Sequence, residues 1–326
     1  MQLTESLDPQ TRERVEAGFV QARERPVTLR ANTLKASAAD VRATLDRHGI
    51  AWEGVPWYPD ALVLPSARER EVWDLDIYRD GHIYLQSLSS MLPPLLLDPR
   101  AGADILDMCA APGGKTSQIA ALTANSAHLT ACEMSAPRAD KLAYNLDKLG
   151  AANVNVMRTD ARRLDEFFSF DQILLDAPCT GTGTYRAGDE RAERRMTGQL
   201  LAKVVKSQRA LLDRALTVLK PGGTLVYSTC SVLDDENDAQ VRAALKRHRD
   251  CEVAPILLEE PAIDAGDGAR GQGDSVRPAV LPLAAQGPLA CPVLEREDGI
   301  PGTLTVVPTR LFEGFYVAVI RKKPRR

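Results

Sequence analysis

Ala103-Asp104-Ile105-Leu106-Asp107-Met108-Cys109-Ala110-Ala111-Pro112-Gly113-Gly114-Lys115-Thr116 begins as a short apolar run, turns at Pro-Gly-Gly and leads into a helix starting near Thr116. The apolar residues are consecutive rather than alternating, as in a strand buried on both faces. Downstream, strands and helices continue to alternate. His128–Cys132 reads as a second strand, followed by a helix from about Pro137 to Leu149, and Asn153–Arg158 reads as a third strand. The Ile-Leu-Leu run within Asp171–Leu175 reads as a fourth. A long amphipathic helix then presents Val204, Val205, Leu211, Leu212, Ala215, Leu216 and Leu219 on one face. Pro221-Gly222-Gly223 is expected to stop it and launch a fifth strand, Thr224–Ser228, and Phe315–Ile320 reads as a closing strand. Alternation of this kind predicts an α/β fold, a mostly parallel sheet covered on both faces.

Upstream the pattern differs. Residues 1–85 read as a small α+β subdomain, with a helix over Ala38–Arg47 and short strands around Pro56–Leu64 and Ile83–Leu85; residues 86–326 form the larger domain. Within the latter, 254–302 stands apart. Its stretch from Asp264 to Asp274 is rich in glycine and poor in apolar residues, and is expected as a long surface loop. No internal repeat is found.

The 326 residues are 44% hydrophobic and 26% charged, the balance of a soluble globular chain with room for a substantial core. No apolar run approaches the roughly 20 residues that span a bilayer. Met1–Arg14 is polar and has no apolar centre of a secretory signal, so the expectation is a cytoplasmic protein. A net charge of -3 does not advertise nucleic-acid binding. Basic residues do cluster locally: Arg12, Arg14, Arg23, Arg25, Arg30 and Lys35 near the start, and five of the last six residues. The six cysteines include no C-x-x-C pair and the four histidines are scattered singly, so no metal site is expected.

Gly114-Lys115-Thr116 invites a phosphate-loop reading, but G-x-x-x-x-G-K-[ST] requires glycine where this chain has Cys109. The dinucleotide pattern G-x-G-x-x-G is absent too. A cofactor with a nucleoside and an amino-acid group but no phosphate fits better. Glu133 ends the second strand, where a carboxylate can accept from two ribose hydroxyls. Asp160 ends the third, within reach of an adenine amino group, and Asp176 ends the fourth. Open α/β sheets bind ligands at these strand ends. A single such acid could simply cap the next helix; a series on consecutive strands says more. Asp176-Ala-Pro-Cys179-Thr-Gly-Thr-Gly183 follows the fourth strand and Ser228-Thr-Cys230-Ser231 the fifth. Both cysteines are therefore expected to open onto the crevice that holds the cofactor.

From about Arg30-Ala-Asn32-Thr-Leu-Lys35 to the last strand, the chain resembles the Nop/Sun (Fmu-type) RNA cytosine-C5 methyltransferases. The resemblance rests on Asp107–Thr116, Asp176–Gly183 and Tyr227-Ser-Thr-Cys-Ser231. Gln86-Ser87, Ser89-Ser90, Glu236-Asn237 and Gly314-Phe315-Tyr316-Val-Ala318 add support. It implies a Rossmann-like class I methyltransferase domain preceded by a small RNA-binding subdomain. It implies that S-adenosylmethionine lies against Cys109, Ala110, Ala111, Pro112, Gly113, Gly114, Lys115, Glu133, Arg138, Asp160 and Asp176. It also implies that Cys230 is the nucleophile and that Cys179 acts later. The substrate implied is RNA, single-stranded or with a flipped cytosine, and ribosomal rather than transfer RNA. One departure stands out: where the family often has an Arg-rich segment with a proline and a tryptophan, Tyr185–Arg195 has neither.

The implied chemistry explains the residue types. Carbon 5 of cytosine is a poor nucleophile until a thiolate adds at carbon 6 and gives it enamine character. Charge then moves toward N3 and O2, and Asp176 is the candidate to meet the base's N3 and N4 edge. Rival readings are a DNA cytosine methyltransferase, which typically uses a Pro-Cys nucleophile without a Thr-Cys partner, and a non-catalytic ribosome-assembly or RNA-binding factor that keeps the fold.

Overall fold

The computed structural model describes residues 2–258, 279–281, 289–294 and 298–325. The glycine-rich stretch Asp264–Asp274, expected as a surface loop, lies outside the described residues.

Helix α1 (Pro9–Gln21) starts with Pro9 in its first turn and Asp8 accepting a cap bond from Thr11 N. The small antiparallel sheet follows. It comprises β1 (Val27–Ala31), β2 (Glu53–Gly54), β3 (Ala61–Leu64) and β4 (Ile83–Leu85), in the order β2-β3-β1-β4. Helix α2 (Ala38–Arg47), opened by a Ser37/Asp40 capping box, and the short helices α3 (Glu69–Trp73) and α4 (Asp76–Arg79) complete this layer. One face of β3 packs Leu62 and Leu64 with Val41, Leu45, Val72 and Ile77. The other face sends Ala61 and Val63 into the core of the large domain.

Helix α5 (Leu88–Leu97) was not anticipated; it carries Pro93 and Pro94, residues that disfavour a helix interior, and is buried almost all round. The large domain continues with β5 (Asp104–Asp107), α6 (Gly114–Leu122), β6 (His128–Cys132), α7 (Ala136–Leu149), β7 (Val154–Met157) and β8 (Phe170–Asp176). After these come α8 (Glu190–Arg195), α9 (Gly198–Val218), β9 (Leu219–Thr229), α10 (Asp238–Arg247) and β10 (Cys251–Ala254). The last elements are β11 (Ile256–Leu258), β12 (Ala279–Leu281), β13 (Leu304–Val306) and β14 (Phe315–Lys322). Among the described residues the strand order of the large sheet is β10-β14-β9-β8-β5-β6-β7, with β13 on β14, while β11 and β12 pair with each other in a separate two-stranded sheet. Strands β5 to β9 run parallel, and β14 inserts antiparallel beside β9. Adjacent β-strand residues face opposite layers: Ile105 and Leu174 lie with α5 and α6, Leu106 and Ile173 with α9 and α10. Strands β5 and β8 are neighbours from which the chain winds outward in opposite directions, and the crevice at such a switch is where ligands bind.

One boundary differs from expectation. Helix α9 ends at Val218, and Leu219 belongs to β9, paired with Phe170. Pro221-Gly222-Gly223 therefore does not stop a helix. It forms an irregularity inside the strand, between the pairs Phe170↔Leu219 and Gln172↔Thr224.

Part of the basic cluster near the start is structural. Arg30 is fully buried and reaches Ser117 Oγ at 3.1 Å and Gln86 Oε1 at 3.3 Å. Lys35 Nζ donates to the Lys148 carbonyl at 2.7 Å, and Asn32 Nδ2 to the Gly81 and Leu149 carbonyls, both at 2.7 Å. These side chains satisfy carbonyls at the end of α7 that the helix itself cannot pair. Arg25 donates to the Thr309 and Phe312 carbonyls. Among the described residues no helix is long and apolar enough to cross a membrane, and no His, Cys, Asp and Glu group is arranged to hold a metal.

Candidate active site

The strand ends of β5, β6, β7, β8 and β9 open onto two adjoining cavities. The first, about 340 Å³, is lined by Cys109, Ala111, Glu133, Arg138, Asp160 and Asp176, with Met134, Arg162, Ser207 and Leu211. The second, about 300 Å³, is lined by Ala110, Pro112, Gly114, Lys115, Asp176 and Phe315, with Tyr84, Gln86, Ser90, Thr184 and Glu313. Cys109, Ala111, Asp176 and Cys230 border both. Each volume is in the range of small-molecule sites, roughly 300–1,000 Å³.

The loop after β5 is held from several sides. Gly113 sits at φ 109°, in the left-handed region that favours glycine, and starts α6. Arg138 and Asn145 of α7 donate to the Ala111 and Pro112 carbonyls. Asp107 accepts from Thr116 Oγ1 at 2.7 Å and from Cys109 N. Burial pushes the Asp107 carboxyl up to about 6, against the pull of the Thr116 hydrogen bond. In a phosphate loop the Lys-Thr pair would face phosphate and Mg²⁺. Here Thr116 is bound to Asp107, and Lys115 Nζ donates to Asp176 Oδ2 and Ser90 Oγ, each at 2.7 Å. Burial opposes the Lys115 charge, but the Asp176 carboxylate outweighs it and raises the pKa of the ammonium. Lys115, Ala110, Pro112 and Gly114, expected against the cofactor, line the second cavity rather than the first, and Gly113 lines neither.

The first cavity has acceptors for hydroxyl and amino groups. Its two cations are already engaged: Arg138 pairs with Glu133 at 3.2 Å and Arg162 with Asp160 at 2.6 Å. The Arg162 hydrogen bond holds the Asp160 carboxyl below its ordinary value. Asp160 also caps a 3-10 turn through Arg162 N, and Glu133 accepts from Ser135 N, so both acids serve the local backbone as well as the cavity. Apolar walls from Met108, Ala161, Ala177 and Leu211 suit a base. A nucleoside carrying an amino-acid tail fits this donor set, and a polyphosphate does not.

The two sulfurs meet. Cys179 Sγ lies 3.2 Å from Cys230 Sγ, each side chain half-buried where its strand ends. The hydrogen bond with Cys230 and burial push the Cys179 thiol well above its ordinary value, with Glu236 and Asp176 adding to the effect. The Cys179 loop is locked to the strand that follows it: Gly183 N donates to the Cys230 carbonyl, and Gly314 N to the Gly183 carbonyl. A Cβ on Gly183 would sit 1.9 Å from the Gly314 carbonyl oxygen, so only glycine fits. Sequence reasoning missed Ser207 and Leu211, although their i, i+4 spacing on α9 places them on one helix face. It also missed Tyr84 and Thr184, which carry no strand-end or motif signal.

Comparison with known proteins places this architecture. Solved structures with the same fold include a methyltransferase homolog protein from Pyrococcus horikoshii, 32% identical with a TM-score of 0.76, covering 98% of this chain and 93% of that one. NSun6 from Pyrococcus horikoshii, solved with SFG, shares the fold at 22% identity and a TM-score of 0.72, over 98% of this chain and 97% of that one. Ribosomal RNA small subunit methyltransferase F of Shewanella denitrificans is 36% identical over 240 residues, 71% of this chain and 47% of that protein. The chain thus spans about half the length of the curated relatives it matches. A ferredoxin-like domain described as Methyltr_RsmF/B-like matches residues 4–70. A second family model, 16S rRNA methyltransferase RsmB/F, matches residues 94–321, and the chain belongs to that family.

Proposed function

We propose that the protein is an RNA (cytosine-C5)-methyltransferase that uses S-adenosylmethionine and acts on ribosomal RNA, with the small N-terminal subdomain contributing to RNA binding. The observation that carries this reading is the pair of sulfurs 3.2 Å apart, with Cys230 on the border of both cavities and Cys179 beside it on the first. One cavity suits a nucleoside with an amino-acid tail; the other is large enough for a single unstacked base. The ribosomal substrate is supported by the names of the relatives.

S-adenosylmethionine, which Glu133, Asp160 and the loop residues Cys109 and Ala111 would hold in the first cavity, would supply an electrophilic methyl group. The chain's own residues do the rest. Cys230, as thiolate, adds to carbon 6 of the cytosine and makes carbon 5 nucleophilic. The Lys115 ammonium and the Asp176 carboxylate, fixed to each other and to Ser228 Oγ at 2.8 Å, meet the base's polar edge, where negative charge develops. After methylation the C5 proton must leave, its electron pair must restore the 5,6 double bond, and the Cys230 sulfur must depart. Cys179 assists that release, taking the C5 proton directly or positioning a base that takes it.

Cys230→Ala is expected to abolish 5-methylcytosine in ribosomal RNA read by bisulfite sequencing. Cys179→Ala is expected to leave a covalent protein–RNA adduct on denaturing gels. An adduct accumulating in Cys230→Ala instead would reverse the two roles, and equal methylation of DNA in competition would overturn the RNA assignment. Stabilisation by S-adenosylmethionine and not by ATP in a thermal melt checks the cofactor separately.

A further inference from the structure

Glu236 lies just past β9, in a 3-10 turn over Asp234–Glu236, and is fully buried. Among the described residues no cation pairs with it. Its carboxylate is instead satisfied by four hydrogen bonds. Oε1 accepts from Thr180 N at 2.8 Å and from Gln208 Nε2 at 3.0 Å; Oε2 accepts from Thr180 Oγ1 and Ser231 Oγ, both at 2.5 Å. Thr180 follows Cys179, and Ser231 follows Cys230. The backbone around it is anchored too: the Glu236 main-chain carbonyl accepts from Tyr227 OH at 2.6 Å, and Gln208 also donates to the Pro178 carbonyl at 2.9 Å. A buried carboxylate without a counter-charge is expensive unless fully hydrogen-bonded. A neutral side chain could knit these loops at lower cost, so the charge calls for a reason.

We propose that Glu236 is the positioning residue of the two-thiol site, tying the residue after each cysteine to one carboxylate so that both sulfurs face the same base. This rests on the assignment of Cys179 and Cys230 above. The carboxylate also acts on one thiol directly. The hydrogen bond with Cys230 and burial favour the neutral thiol at Cys179, and the nearby Glu236 and Asp176 carboxylates add to the effect.

The test uses the full chain carrying Glu236→Gln, which keeps size and one acceptor, with Thr180→Val and Ser231→Ala each removing one tie if that variant fails to fold. Two readouts need no RNA. The first is the rate of Cys179–Cys230 disulfide formation with diamide, an azo oxidant that takes up two hydrogens as the thiols join. The second is the pH profile of Cys179 alkylation by iodoacetamide, followed by peptide mass. In Glu236→Gln, disulfide formation should slow, and Cys179 alkylation at pH 8 should quicken by about three- to tenfold. With RNA, kcat should fall by about 100-fold with KM little changed, as for a misplaced catalytic group. In the single-tie variants disulfide formation should slow likewise. Wild-type disulfide and alkylation rates in folded Glu236→Gln, or wild-type disulfide rates in both folded single-tie variants, would overturn the proposal. If both readouts shift while the wild-type protein methylates no cytosine, the positioning role stands and the assigned reaction falls.

Discussion

Asp107 shows how a buried acid can set pH dependence. Its carboxyl lies at about 6 in the fold against an ordinary value of 3.8, because burial disfavours its charge. The fold thus prefers the protonated form. The stability this confers is complete below 3.8 and is lost as pH rises through about 6. At full strength it is worth about 3 kcal/mol. Asp107→Asn should flatten the pH 4 to 6 limb of the stability profile measured by urea unfolding. Asp160 has the opposite sign. Its lowered value contributes stability above 3.8 that disappears as pH falls through the folded value, so the two acids separate on the pH axis. At this scale the sequence was legible where a side chain's chemistry is rare. Cys179 and Cys230 stood out because thiols at strand ends are poor structural choices. Glu236 was visible only within a motif, since its role depends on Thr180 and Gln208, respectively 56 and 28 positions away. Arg30 was misleading for a related reason: its charge read as surface, and its burial follows from partners far along the chain.

Among the elements, α7 connects the subdomain to the loop after β5. Asn32 and Lys35 hold its last carbonyls, while Arg138 and Asn145 hold the carbonyls of Ala111 and Pro112. Asn32→Ala leaves the buried Gly81 and Leu149 carbonyls without this donor and should cost about 1–3 kcal/mol in chemical unfolding. Lys35→Met, at an exposed position, should cost less. Strands β5, β6 and β8 and helices α7 and α9 could be read from sequence because a buried parallel sheet needs apolar runs and its helices need one apolar stripe. Strand β1 could not, because Arg30 interrupts it. Helix α1 hides for another reason: its buried face includes Thr11 and Gly18, so its apolar periodicity is faint. Helix α5 hides behind its two prolines, and the start of β9 behind a Pro-Gly-Gly that pairing tolerates as a bulge.

As a whole, the molecule has a core that ignores the boundary near residue 85. Trp57, Ala61 and Val63 pack in one cluster with Met91, Ile105, Leu174 and Phe312. Helix α1 packs Val15 and Phe19 with Tyr185, Met196 and Val232, beside the cysteine loops. Removing residues 2–85 should therefore expose core, and the truncated chain should elute as aggregate in size-exclusion chromatography. A well-behaved monomer binding S-adenosylmethionine would show the boundary to be real. The family was legible in three motifs and the α/β fold in the alternation of strands and helices, whereas this interlocking was not, because it is written in pairs of distant apolar residues rather than in any local pattern.

The wall between the two cavities has a practical corollary. Among the described residues four, Cys109, Ala111, Asp176 and Cys230, line both. A single inhibitor joining an adenosine to a pyrimidine through a short tether would occupy both chambers at once, and the tether would gain the effective concentration that two separate compounds forfeit.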